Sequence, residues 1–160
     1  TIHPRVQKQF YKGTVYRDWF AWAAERSRNP LCYNGDLVTV EDCGAFEADF
    51  PAIDAVMIGR GAVADPALFR KLRGGTPATR REIQTFTRTL YQSYQEFYGQ
   101  VGPAAQRMKE VWFFLIHLFE GGERHHKRMR RLRTPAEYEA VEAAIFRELP
   151  LRDHAEGAFG

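Results

Sequence analysis

From Ala55 to Ile58 the chain runs apolar without interruption and is rich in β-branched residues. That pattern suits a short strand buried on both faces of a parallel sheet. Gly59 and Gly61 end the run with Arg60 between them, and Asp65-Pro66 is expected to cap and open a helix through Ala67, Leu68, Phe69 and Leu72. Upstream, Trp19, Phe20, Trp22 and Ala23 give Val15 to Arg28 an apolar helical face, which Asn29-Pro30 stops. Leu31-Cys32-Tyr33 reads as a strand ended by Asn34-Gly35-Asp36. Asn-Gly between apolar runs serves hairpins, but Thr39-Val40-Glu41-Asp42 is a helix start of capping-box type, so a strand-to-helix turn is expected. Gln9 to Gly13 reads as a loop, and Thr1-Ile2-His3 as the end of one more strand.

Strand end, helix, strand, helix, strand, helix is the rhythm of a parallel βα array, with about 25 residues between strands. Beyond Leu72 it stops. Gly74-Gly75-Thr76-Pro77 reads as a linker, and everything after it as helix. Thr79-Arg80-Arg81-Glu82 caps a helix with Ile83, Phe86, Leu90, Tyr94 and Phe97 on one face. Gly99 to Pro103 breaks it, and Ala104 to Phe119 follows with Met108, Trp112, Leu115 and Phe119 in register. After Gly121-Gly122 and a basic run, Thr134-Pro135-Ala136-Glu137 caps a last helix carrying Tyr138, Val141, Ile145 and Leu149. The expected organisation is a βα part over residues 1–75 and a helical domain over 76–160.

Composition sharpens this in three ways. The 160 residues are 44% apolar and 27% charged, the balance of a globular chain. No apolar run approaches the ~20 residues of a membrane span, and Cys32 and Cys43 have neither metal-ligand nor Cys-x-x-Cys spacing, so a reducing, cytoplasmic setting is expected. Charge is unevenly spread: residues 77–135 carry 11 Lys/Arg against 5 Asp/Glu, which points to an acidic partner, nucleic acid first. The opening in mid-strand, with no initiator methionine, reads as a fragment, and unpaired sheet edges would then favour self-association.

Ligands of βα arrays sit at the C-terminal ends of the strands. His3, Asn34-Gly35-Asp36 and Gly59-Arg60-Gly61 all fall there, and a guanidinium between glycines at a helix start suits a phosphate. Each motif also has a plain reading: a structural histidine, an asparagine tolerating a left-handed turn, a surface arginine. Arg124, Lys127, Arg128, Arg130, Arg131 and Arg133 form either a solvated helix face or an RNA contact. His117 reads as a core or domain-interface residue, and His125-His126 lacks a third metal ligand, so no metal site is expected.

Taken together, His3-x-Arg5, Tyr11 ahead of Asp18-Trp19, Asn34-Gly35-Asp36, Val56-Met57-Ile58-Gly59-Arg60-Gly61-Ala62 with Pro66, and Arg107-Met108-Lys109 in a helical domain resemble the tRNA-dihydrouridine synthases. The resemblance implies an α/β fold, the C-terminal part of a (β/α)8 TIM barrel followed by an all-α helical bundle. It implies a flavoprotein oxidoreductase of tRNA processing, in which FMN and NADPH reduce the C5–C6 double bond of tRNA uridines. His3, Asn34, Gly35, Asp36, Gly59 and Arg60 would hold FMN; Arg5, Arg124, Lys127, Arg128 and Arg131 would meet the tRNA. The family's catalytic cysteine belongs to earlier strands, so this stretch is expected to carry no catalytic residue and to be inactive alone. Another FMN-dependent barrel oxidoreductase acting on a small molecule, or a non-catalytic RNA-binding module, are the alternatives.

Overall fold

A computed structural model describes residues 1–9 and 13–156. Its sheet is small and parallel: β1 (Cys32–Tyr33) pairs with β2 (Ala55–Val56), Cys32 opposite Ala55 and Tyr33 opposite Val56. Ile2 bridges to Tyr33 on the other side, also in parallel, with Ile2 N–H donating to Cys32 O at 2.8 Å and Asn34 N–H to Ile2 O at 2.9 Å. Three strand ends therefore lie side by side. Between them run α1 (Arg17–Arg26) and α2 (Val40–Asp49). The Thr39 hydroxyl accepts from Asp42 N–H and the Asp42 carboxylate accepts from Thr39 N–H in return, which accounts for α2 starting where its sequence pattern predicts. One aromatic cluster joins helices and sheet: Phe20 meets Tyr33 edge-on at 4.9 Å, and Tyr33 stacks on Phe46 at 4.1 Å.

Several expectations for this part are corrected. The strand at residue 55 is two residues long, and Ala55, Val56 and Met57 are exposed rather than buried on both faces. A strand is buried on two sides only when layers cover both, and none covers these residues here. The apolar face of α1 reduces to Phe20; Trp19 and Trp22 stand 72% and 59% exposed, the latter beneath the Arg26 guanidinium. Asp65 does not cap the next helix. Arg60–Ala64 is itself a short helix, α3, which Asp65 terminates; α4 (Leu68–Lys71) begins after Ala67, whose N–H the Asp65 carboxylate accepts at 3.0 Å. Gln7–Gln9 form a 3-10 turn, and residues 10–12 of the expected loop, Tyr11 included, lie outside the described residues.

The second part is helical: α5 (Arg80–Tyr98), α6 (Val101–Leu115) with a 3-10 turn at Ile116–Leu118, α7 (Glu123–Arg131) and α8 (Pro135–Glu148). Capping boxes at Thr79/Glu82 and Thr134/Glu137 open α5 and α8, and Gly99, at φ +63°, closes α5 in the left-handed conformation that costs glycine nothing. α6 starts at Val101, earlier than Ala104, because Pro103 sits in a first turn that needs no intrahelical donor from it. Trp112, Met108, Leu115, Tyr138 and Ile145 are wholly enclosed, whereas Phe97, at the end of α5, is 80% exposed. The half-buried acid beside this core is satisfied: the Glu142 carboxylate accepts from Tyr138 Oη at 2.7 Å and Trp112 Nε1 at 3.3 Å, and burial pushes its pKa up. Ala64 of α3 belongs to this same core, so the two parts are in contact. Among the described residues no helix is long and apolar enough to cross a membrane.

A polar cluster at the strand ends and a basic helix face

Parallel pairing in register sets His3, Asn34 and Met57, each one step beyond its strand, along one edge of the sheet. The His3 imidazole Nδ1 bonds Asn34 O at 2.5 Å, and Asn34 Nδ2 donates to Met57 O at 2.7 Å, tying the three ends together. Asp36, at φ +46°, turns its carboxylate between two guanidiniums: Arg60 donates at 2.5 Å and Arg5 pairs with its other oxygen. Arg5 is enclosed, its side chain 1% exposed, and also donates to Gly13 O at 2.8 Å. Its position is thus beneath Asp36 rather than at the open side. Two guanidiniums against one carboxylate leave the cluster positive.

The glycines do different jobs. A Cβ on Gly35 would fall 2.7 Å from the Tyr33 hydroxyl, and one on Gly61 2.7 Å from Leu37 O, so both permit close packing. At Gly59 a Cβ would meet nothing within 4 Å. Gly59 has no side chain to cap α3, and its carbonyl accepts from Ala62 N–H at 3.1 Å in the first turn. Open backbone at Gly59 beside the Arg60 guanidinium fits an anionic group such as the phosphate of a flavin mononucleotide.

The second set of sequence candidates lies on α7. His125 and Met129 face inward, and Arg124, Lys127, Arg128 and Arg131 line one groove of about 510 Å³ with Gly121 and Glu123. The spacing i, i+3, i+4, i+7 puts all four on one stripe, and no ion pair within the described residues engages them. Behind them, burial lowers the pKa of His117 and His126, keeping both imidazoles neutral to lower pH than usual. Among the described residues no three His, Cys, Asp or Glu side chains come together as metal ligands. Sequence reasoning missed the sharing of Asp36 by Arg5 and Arg60; the partners are 31 and 24 residues away, and only strand pairing brings them together.

The fold is therefore a mixed α/β one, with a polar cluster at parallel strand ends and a helical part packed beside it. The profile described as Dihydrouridine synthase (Dus) matches residues 1–149, and the chain belongs to that family. It is 30% identical over 151 residues to the tRNA-dihydrouridine(16) synthase of Cupriavidus necator, covering 88% of this chain and 44% of that protein. A probable tRNA-dihydrouridine synthase of Rhizobium leguminosarum bv. phaseoli is 34% identical over 117 residues, 72% of this chain and 36% of the relative. The tRNA-dihydrouridine synthase B of Vibrio parahaemolyticus is 28% identical over 124 residues, 72% and 38% respectively. The chain thus spans less than half the length of these relatives.

Proposed function

We propose that this chain is the C-terminal portion of a cytoplasmic, FMN-dependent tRNA-dihydrouridine synthase, residues 1–75 supplying the last strands of a (β/α)8 barrel and residues 76–160 a helical tRNA-binding domain. The observation that carries the reading is the joining of three successive strand ends by His3, Asn34 and the Asp36–Arg60 pair, in a chain whose family reduces uridine in tRNA. FMN, reduced by NADPH, supplies the hydride for the uridine C5–C6 double bond. Gly59, Arg60, Asn34 and Gly35 would hold the phosphate and ribityl chain, and Asp36 keeps the Arg60 guanidinium in place by charge and hydrogen bond. Arg5 then acts through Asp36. His3 stands at the exposed rim, where an extruded base has room to lie against a flavin. Neither Cys32, within β1, nor Cys43, in α2, is given the role of proton donor, and the isolated chain is expected to be inactive. Its exposed sheet edges favour self-association, which sedimentation equilibrium reads directly; a clean monomer excludes it.

Arg124, Lys127, Arg128 and Arg131 would take the phosphates of tRNA. The test uses the full-length parent with NADPH and unmodified tRNA, and mass spectrometry of the digested RNA for uridines that have gained two hydrogens. In the same protein, Arg128→Glu with Arg131→Glu should leave flavin bound and lower the salt dependence of tRNA binding by about two phosphate contacts. Flavin retention without product would favour a small-molecule oxidoreductase; tRNA binding with neither product nor flavin would favour an RNA-binding module.

A further inference from the structure

We propose that the last turn of α4 is a two-pronged clamp that holds the helical part at one angle to the strand-end cluster, and that Lys71 is its positioning residue. The proposal rests on the reading above. Arg70 grips the entry to the helical part: its guanidinium donates to Thr76 O at 2.8 Å and Pro77 O at 2.9 Å, and pairs with both oxygens of Glu82 at 2.6 and 3.3 Å. The stretch that reads as a loose linker is therefore tied down. Lys71 grips the exit. Its ammonium pairs with Asp65, 2% exposed, and donates to Asp153 O at 2.7 Å. Asp153 lies in a terminal strap that runs antiparallel to residues 117–120, with Glu120 N–H on Pro150 O, Arg152 N–H on Leu118 O and Glu156 N–H on His117 O, all within 3.0 Å. Ala155 anchors the strap in the helical core.

A third attachment passes through the site itself. α3 starts at Gly59-Arg60, is pressed against Leu37 and Val38 at Gly61, and ends at Ala64 inside the helical core. Packing alone would join the parts. A buried ion pair adds little net stability, because desolvating both charges opposes their attraction; what Lys71 and Asp65 contribute is one geometry out of several similar ones. The leverage is large. α5 has 19 residues, about 28 Å at 1.5 Å per residue, so a tilt of about 10° at α4 moves its far end by about 5 Å. A misplacement of about 1 Å is enough to cost an enzyme up to a hundredfold.

The experiment compares the full-length enzyme with Lys71→Met, Lys71→Arg and, in case the first folds poorly, the half-exposed Arg70→Met. In Lys71→Met we expect flavin retention unchanged, tRNA affinity and KM within about twofold, and kcat down about tenfold. Lys71→Arg, which keeps a cation for Asp65 and a donor for Asp153 O, should recover most of kcat. Backbone amides of Arg152 and Glu156 should exchange with solvent faster in Lys71→Met, and those at the α5 entry in Arg70→Met. Unchanged kcat, or a loss that Lys71→Arg does not recover, overturns the positioning role. Unchanged strap exchange overturns the clamp itself, and this arm reads out even if the wild-type enzyme forms no dihydrouridine, the outcome that would overturn the functional reading instead.

Discussion

The helical part and the strand-end part differ in how completely they enclose their large apolar residues. Around α6 and α8, Trp112, Phe119, Tyr138 and Phe146 are buried, and their polar atoms that face inward find a partner in Glu142. In the strand-end part four residues, Phe20, Tyr33, Leu37 and Phe46, form the buried cluster, while Trp19, Trp22, Val56 and Met57 face out. The helical part draws most of its core from its own helices, with Ala64 of α3 added; the strand-end part hangs its helices on short strands, which need neighbours on both edges and both faces.

The comparison can be broken most sharply at Trp112. Trp112→Ala should destabilise the helical part by about 3–5 kcal/mol, because a large cavity opens and Glu142 loses a donor. Trp19→Ala, the same chemistry on an exposed face, should change the melting temperature little, within about 0.5 kcal/mol. Equal effects in a thermal melt would mean that Trp19 is covered in solution. At the cluster, Asp36→Asn should cost about 2 kcal/mol, since the enclosed Arg5 loses its carboxylate; flavin retention and denaturant midpoint should fall together. Thr134→Ala removes one half of a capping box and should cost about 1 kcal/mol in the same assay.

Acid provides the gentlest probe. The Arg70 guanidinium and the Thr79 backbone hold Glu82 at about 2, below its ordinary 4.5. A carboxylate depressed on folding stabilises above its unfolded pKa, and that contribution is lost as pH falls from 4.5 towards 2. His117 and His126 are also depressed, so their contribution is complete above 6.5 and fades as pH drops through their folded values. Melting curves between pH 8 and 2 should show both steps, and Glu82→Gln should shrink the lower one, to which Glu137 and Glu148, also depressed, contribute.

How far the chain could be read in advance differs by element. The starts of α2, α5 and α8 are capping boxes confined to four residues, so local chemistry places them. The strand ends at His3 and Asn34 were legible for the same reason, since turn residues follow apolar runs, whereas β2 stops at Val56, ahead of Gly59 where the apolar run ends. The i, i+3, i+4, i+7 stripe on α7 was legible as a helical period. By contrast, the burial of Val56 depends on layers that only neighbouring elements provide, and the helix at Arg60–Ala64 was hidden because glycine and a five-residue length give no periodic signal.

What the sequence determined by itself, then, is the alternation of helix and strand, the helix starts and the grouping of positive charge, all set by interactions within a few residues. The tertiary structure decided that Asp36 is shared by Arg5 and Arg60, that the Gly74–Pro77 stretch is held by Arg70, and that Lys71 reaches the terminal strap 82 residues away. Those contacts join residues whose separation along the chain carries no pattern, and only the folding of helices onto a parallel sheet brings them within hydrogen-bond reach.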